Sequence, residues 1–124
     1  MTEPIRLLIA DDQARTRQSL RAWLSSRLTL GEVLEAESGR EALRHVERQA
    51  PDIVVMDARM ADGDGIEATR AIKQGYPQVK VLVLSLYPSY QAAAIAAGAD
   101  DMGVAYAAAS IVQMIGFEGD HLVL

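Results

Sequence analysis

Three short runs along the chain are almost wholly apolar: Ile5–Ala10 (IRLLIA), Ile53–Met56 (IVVM) and Val79–Leu84 (VKVLVL). Runs of this length, rich in β-branched residues and leucine, predict strands covered on both faces. Glu32–Ala36 (EVLEA) alternates instead, which predicts an edge strand with its glutamates outward. Met102–Ala105 is a fifth candidate. Between the strands the period changes to that of a helix. Ala14–Arg27 sets Leu20, Trp23, Leu24 and the following Leu28 on one stripe, with its arginines off it. Ser38–Gln49 opens with an S-x-x-E capping box (Ser38, Glu41) and buries Ala42, Leu43 and Val46. Gly65–Gly75 carries Ile66, Ala68, Thr69 and Ile72; Tyr90–Ala97 is alanine-rich and stops at Gly98, a helix C-cap; Ala108–Phe117 is read as a last helix. Strands alternating with helices through short connections predict a parallel sheet with helices on both faces.

A length of 124 residues, half of them hydrophobic, suits one domain with one core. The chain is read as a single domain over 1–124. The absence of cysteine excludes disulfides, thiolate zinc sites, iron–sulfur clusters and a cysteine nucleophile. A net charge of −5 argues against a free-standing nucleic-acid binder. All the Lys and Arg residues lie before Val81, and Val81–Ala99 is uncharged. Pro88, Ser85, Ser89, Gln91 and many alanines make that stretch too polar and too broken to span a membrane. The N-terminal MTEPIRLLIADD lacks a basic n-region, so it is no signal peptide, and a cytoplasmic protein is expected. Residues 102–117 carry no charge, which predicts self-association through the last helices.

The chemistry falls at strand ends. The first strand runs into Asp11-Asp12, the third into Asp57 and the fourth into Ser85. In a parallel sheet all carboxyl ends share one edge, and ligands bind there, where the strand order reverses. Three carboxylates at one point repel one another unless their pKa values rise or a cation holds them. Few, hard oxygen ligands favour Mg²⁺, which keeps waters and leaves room for a phosphate oxygen. A carboxylate beside such a cation can attack a phosphoryl donor and become an aspartyl phosphate. Taken singly, the Asp-Asp pair reads equally well as a helix cap and solvated turn, and Asp57 as a loop residue. The segment Met60–Gly65 (MADGDG) lacks the ligand spacing of a Ca²⁺ loop and reads as a turn. There is no P-loop, no dinucleotide fingerprint and no His-based zinc motif; His45 and His121 are bland.

The pieces IRLLIADDQ, EAESGREAL, PDIVVMDARMADGDGIEATR, VLVLS and AAGAD resemble the receiver domain of two-component response regulators. The run from Asp57 through RMADGDGIEATR, with LSLY around Ser85, is similar to the NarL/LuxR type. That resemblance implies a doubly wound, flavodoxin-like (βα)5 fold with a five-stranded parallel sheet in the order 2-1-3-4-5. It implies that Asp57 accepts a phosphoryl group from a sensor histidine kinase. It implies a Mg²⁺ held by Asp11, Asp12, Asp57 and the backbone carbonyl of Arg59, with Ser85 as the hydroxyl that moves onto the phosphoryl group. The resemblance also implies that Arg59 and Tyr87, two residues after Asp57 and Ser85, tune the phosphoryl group's lifetime. The protein would then be no enzyme beyond Mg²⁺-dependent self-phosphorylation from a donor. It would regulate transcription through a DNA-binding output domain that this chain does not include, without touching a membrane. Two positions depart from the family pattern. Ala105 stands where the family has a lysine, and Met102 where it has an aromatic switch residue. Two readings follow: a phospho-accepting receiver, or a pseudo-receiver that signals by protein contact without phosphorylation.

Overall fold

In the computed structural model, residues 3–60, 63–85, 88–104, 117–118 and 121–122 are described. Five strands, β1 (Ile5–Ala10), β2 (Leu30–Ala36), β3 (Ile53–Asp57), β4 (Lys80–Ser85) and β5 (Asp101–Val104), form one parallel sheet in the order β2-β1-β3-β4-β5. The strands connect through α1 (Ala14–Arg27), α2 (Gly39–Arg48), α3 (Gly65–Gly75) and α4 (Gln91–Ala96), the last preceded by a 3-10 turn at Pro88–Tyr90. The expected order and flavodoxin-like topology are therefore present, with β2 on an edge. Parallel neighbours need crossovers, and each helix here supplies one.

Side-chain alternation sorts the core into two layers. Leu7, Ile9 and Val55 face α1, where they pack with Leu24 and Leu28 and with the half-buried Leu20 and Trp23. Leu8, Val54 and Met56 face the other way, onto Val46 of α2, Ile72 of α3 and Ala94 of α4. The central strands are buried on both faces because both layers claim alternate residues.

Local chemistry sets the helix ends. Ser38 is the N-cap of α2, its hydroxyl accepting from the Glu41 N–H at 3.0 Å. The return arm of the box lands one residue early, where the Glu37 N–H donates to Glu41 Oε2 at 3.4 Å. After α4, Gly98 takes φ +99°, and the Gly98 and Ala99 amides donate back to Ile95 and Ala94, both at 3.0 Å. This paired closure needs a residue at positive φ, which glycine supplies without strain.

Some expectations are corrected. The edge strand begins at Leu30 rather than Glu32, because Ile5 and Leu30 extend the pairing beyond a register shift. Arg17 is not off the buried stripe of α1: it is 9% exposed, on the same face as Leu24. Glu35 of β2 is only partly exposed because it meets that arginine. The helix read over 108–117 lies outside the described residues except at Phe117, which stands in a two-residue strand, Phe117–Glu118, paired with His121–Leu122. The turn read at Met60–Gly65 includes a small ribbon, Arg59–Met60 against Gly63–Asp64. No described helix is long and apolar enough to cross a membrane.

Candidate phosphoryl-acceptor site

Register alone brings two acids together. Ala10 pairs with Met56, so the next residues, Asp11 and Asp57, leave adjacent strands side by side. Neighbouring strands lie about 5 Å apart, close enough for short carboxylates to converge. Asp12 follows in the loop, and one carboxylate oxygen from each of Asp11, Asp12 and Asp57 lies within 4.8 Å of the others. On the far side, Asp57 pairs with Leu84, and Ser85 is the next residue of β4. Ser85 is buried at the sheet's carboxyl edge. The structure thus unites Asp11, Asp12 and Asp57 and ends the neighbouring strand in Ser85.

The Asp-Asp pair does not cap α1. The N-cap is Gln13, without a side-chain cap bond. Instead Asp11 Oδ1 accepts from the Gln13 N–H at 2.8 Å, which turns the chain locally and leaves the acids at the sheet edge. Asp57 does the same after β3, where Oδ1 accepts from the Arg59 N–H at 3.2 Å. Arg59 is exposed and its backbone lies against the acceptor carboxylate. Tyr87 and Ala105 lie outside the described residues. Met102 lies in β5, its backbone paired with Val83.

Burial pushes the Asp57 carboxyl up to about 6, only partly offset by the Arg59 N–H, and the charges of Asp11 and Asp12 push the same way. Asp11 is also raised, first by burial and then by Asp12, against the Gln13 N–H and the Arg17 guanidinium. Asp11 and Asp57 are therefore both held in places that disfavour their own charge. A bound cation reverses that penalty, and hard oxygen donors suit a hard divalent ion. The donor set fits Mg²⁺. Beside the acids lies a cleft of about 50 Å³, lined by Thr16, Leu20, Val55 and Leu84 together with Ala10, Asp11 and Asp57. A space of that size has room for a few water molecules.

Two residues at this edge were not singled out from the sequence. Gly65 opens α3 directly against β3: its N–H donates to the Ala58 carbonyl at 2.9 Å, and a Cβ there would lie 1.9 Å from the Asp57 carbonyl oxygen. Its signal was the glycine at a predicted helix start. Arg17 donates through Nε to Glu35 Oε1 at 2.9 Å and through an Nη to the Asp11 carbonyl at 2.7 Å. Its signal was position, three residues before Leu20 on the apolar stripe.

A parallel 2-1-3-4-5 sheet with three acids at its switch point defines a doubly wound α/β domain with an acidic site at its carboxyl edge. Residues 7–104 match the response regulator receiver domain family. The chain belongs to that family. LuxR-family response regulators are among the solved structures it resembles. Over 83 residues it is 39% identical to the response regulator protein VraR of Staphylococcus aureus, an alignment covering 67% of this chain and 40% of that protein. A crystal structure of a LuxR-family two-component response regulator from an Aurantimonas species superposes with a TM-score of 0.83 at 31% identity, over 90% of this chain and 81% of that one. The chemotaxis protein CheY4 of Vibrio cholerae shares the fold, with a TM-score of 0.77 at 23% identity, over 90% and 95% of the two chains. The chain's match spans about 40% of the length of the curated relatives.

Proposed function

We propose that this receiver takes a phosphoryl group onto Asp57 from a sensor histidine kinase and passes the change to a transcriptional output. The observation that supports this most is the convergence of Asp11, Asp12 and Asp57 at the edge where the sheet order reverses. An Asp57 carboxylate oxygen attacks the phosphorus of the donor. A P–O bond forms, the bond to the donor nitrogen breaks, and its electron pair leaves with the donor imidazole. Asp57 is the nucleophile only when ionised, and Asp11 and Asp12 hold the counter-ion that keeps it so. Asp11, Asp12, Asp57 and the Arg59 carbonyl would hold Mg²⁺, which would supply Lewis-acid charge at this edge. Ser85, at the end of the adjacent strand, donates its hydroxyl to the phosphorylated Asp57. This pull on β4 carries the signal.

In this reading residues 1–124 are one receiver domain acting in the cytoplasm, without enzymatic turnover of its own. Contact with DNA passes through an output domain. A homodimer through the last helices belongs to the same reading. It is supported by α4, where Ala92, Ala93 and Ile95 are exposed and Ile95 is 54% accessible. Fluorine NMR of the protein with beryllofluoride and Mg²⁺ tests the acceptor assignment. A bound-fluoride signal that disappears in Asp57→Asn is expected. A signal that persists in that variant, or none in the wild type, contradicts it.

A further inference from the structure

We propose that Arg17 is a positioning residue for the cation site, acting on Asp11 and Asp12 through their shared peptide. The inference rests on the reading of the acid cluster as a Mg²⁺ site. Arg17 lies in α1, is 9% exposed, and touches no cluster carboxylate in a hydrogen bond. Its guanidinium bridges two elements instead. Nε is bound to the carboxylate of Glu35 in β2, and an Nη is bound to the carbonyl of Asp11, the first residue past β1.

A guanidinium this deep needs a counter-charge, and Glu35 supplies it. Glu35 is itself held on its other oxygen by Arg21 at 3.4 Å. The planar fork of Arg17 can then hold its second contact in a fixed direction, which a lysine cannot do. At Asp11 three independent bonds meet. Its N–H donates to the Ala36 carbonyl at 3.0 Å, its Oδ1 accepts from Gln13, and its carbonyl accepts from Arg17. The first and third fix the planes of successive peptides, so the direction in which the chain delivers Asp12 is set. Asp12 is exposed. Its convergence with Asp11 and Asp57 therefore depends on how the preceding peptide is held. Outer partners of this kind commonly change metal affinity by 10- to 100-fold, which sets the expected scale at about tenfold.

Calorimetric titration of the whole chain with Mg²⁺ alone tests this, with Arg17→Ala, Arg17→Lys, Glu35→Ala and the double variant Arg17→Ala/Glu35→Ala. Thermal midpoints are taken without Mg²⁺. The expected result is a Kd about tenfold weaker in Arg17→Ala. Arg17→Lys, which keeps the charge but not the fork, stays several-fold weak. Glu35→Ala weakens binding in the wild-type background and adds nothing once Arg17 is gone. Wild-type affinity in a folded Arg17→Ala, with only the thermal midpoint lowered, overturns the proposal. Full recovery in Arg17→Lys also overturns it, because charge alone would then suffice. Should Arg17→Ala not fold, unchanged affinity in both Arg17→Lys and Glu35→Ala has the same force. A wild-type chain that binds no Mg²⁺ defeats the reading of the acid cluster itself, an outcome distinct from the others.

Discussion

The carbonyl of Asp57 occupies the space in which a side chain at Gly65 would stand. A Cβ there would lie 1.9 Å from the Asp57 oxygen and 3.1 Å from Met56 Cγ. The first residue of α3 thus packs backbone to backbone on the last residue of β3, and the position of Asp57 is tied to that of the helix.

Gly65→Ala therefore pits a small gain in helix propensity against a clash that no rotamer relieves. Relief needs a backbone shift, at about 1–3 kcal/mol, against about 1 kcal/mol gained from replacing glycine within a helix. Urea unfolding should show a less stable protein, and Mg²⁺ affinity should fall because Asp57 moves. An unchanged midpoint with unchanged affinity would contradict the packing described.

Acid titration should expose the strained state of Asp57. Its folded value of about 6 lies above the ordinary 3.8, so the native chain binds more protons than the unfolded one between those values. Stability without metal then falls as pH rises through that window, and the loss is complete above it. Asp57→Asn removes the penalty. At neutral pH, without Mg²⁺, it should stabilise the fold by about 1–2 kcal/mol after allowing for solvent access. Well below the ordinary 3.8 the difference should vanish. A variant less stable than wild type at neutral pH would show that the carboxylate is not disfavoured in the fold.

Much of this edge was legible in the sequence. Strand periodicity and the positions of Asp11, Asp57 and Ser85 at strand ends suffice to bring them to one edge, because a parallel sheet aligns its carboxyl ends. β1, α1 and α3 appear with the expected bounds. What periodicity does not carry is contact between elements. Arg17 reads as a solvated charge until Glu35, on another element, is seen to meet it. Gly65 reads as a turn glycine until the Asp57 carbonyl is found against it. Asp100, a plain polar residue in the loop before β5, pairs with Lys73 at the end of α3, a contact no local pattern announces.

That last pair supports the opposite edge of the sheet. Lys73 Nζ donates to Asp100 Oδ2 at 2.9 Å and to the carbonyls of Pro77 and Val79, while the Val81 N–H also donates to Asp100 Oδ2. Asp100→Ala strands both a shielded ammonium and a backbone N–H. It should cost about 2–3 kcal/mol, more than Lys73→Met, which leaves the Asp100 carboxylate still bound by the Val81 N–H and 4.0 Å from Lys80 Nζ. Denaturant midpoints of the two variants and their double mutant check this. Equal, additive losses would mean the residues act independently.

Ala105 leads to a kinetic expectation. The sequence resemblance implies a lysine at this position in other receivers, where a charge-assisted contact to a phosphoryl group would be worth about 1–3 kcal/mol. The wild-type chain should label slowly. Ala105→Lys should raise the rate of acetyl-phosphate labelling about tenfold. Adding Met102→Tyr should enlarge the amide shifts produced by beryllofluoride in β4 and β5. Equal rates and equal shifts in wild type and variants would show that the departure from the family pattern has no consequence.

On the proposed reading, Asp57 receives the phosphoryl group with help from a cation held by Asp11 and Asp12. Mass spectrometry of the intact chain after incubation with acetyl phosphate, with and without Mg²⁺, followed by peptide mapping, tests it most directly. The expected result is the mass of one phosphoryl group on the peptide bearing Asp57, dependent on Mg²⁺, absent from Asp57→Asn and reduced in Asp12→Ala. A chain that stays unlabelled, or that labels elsewhere, would contradict it and favour a domain that signals through protein contact alone.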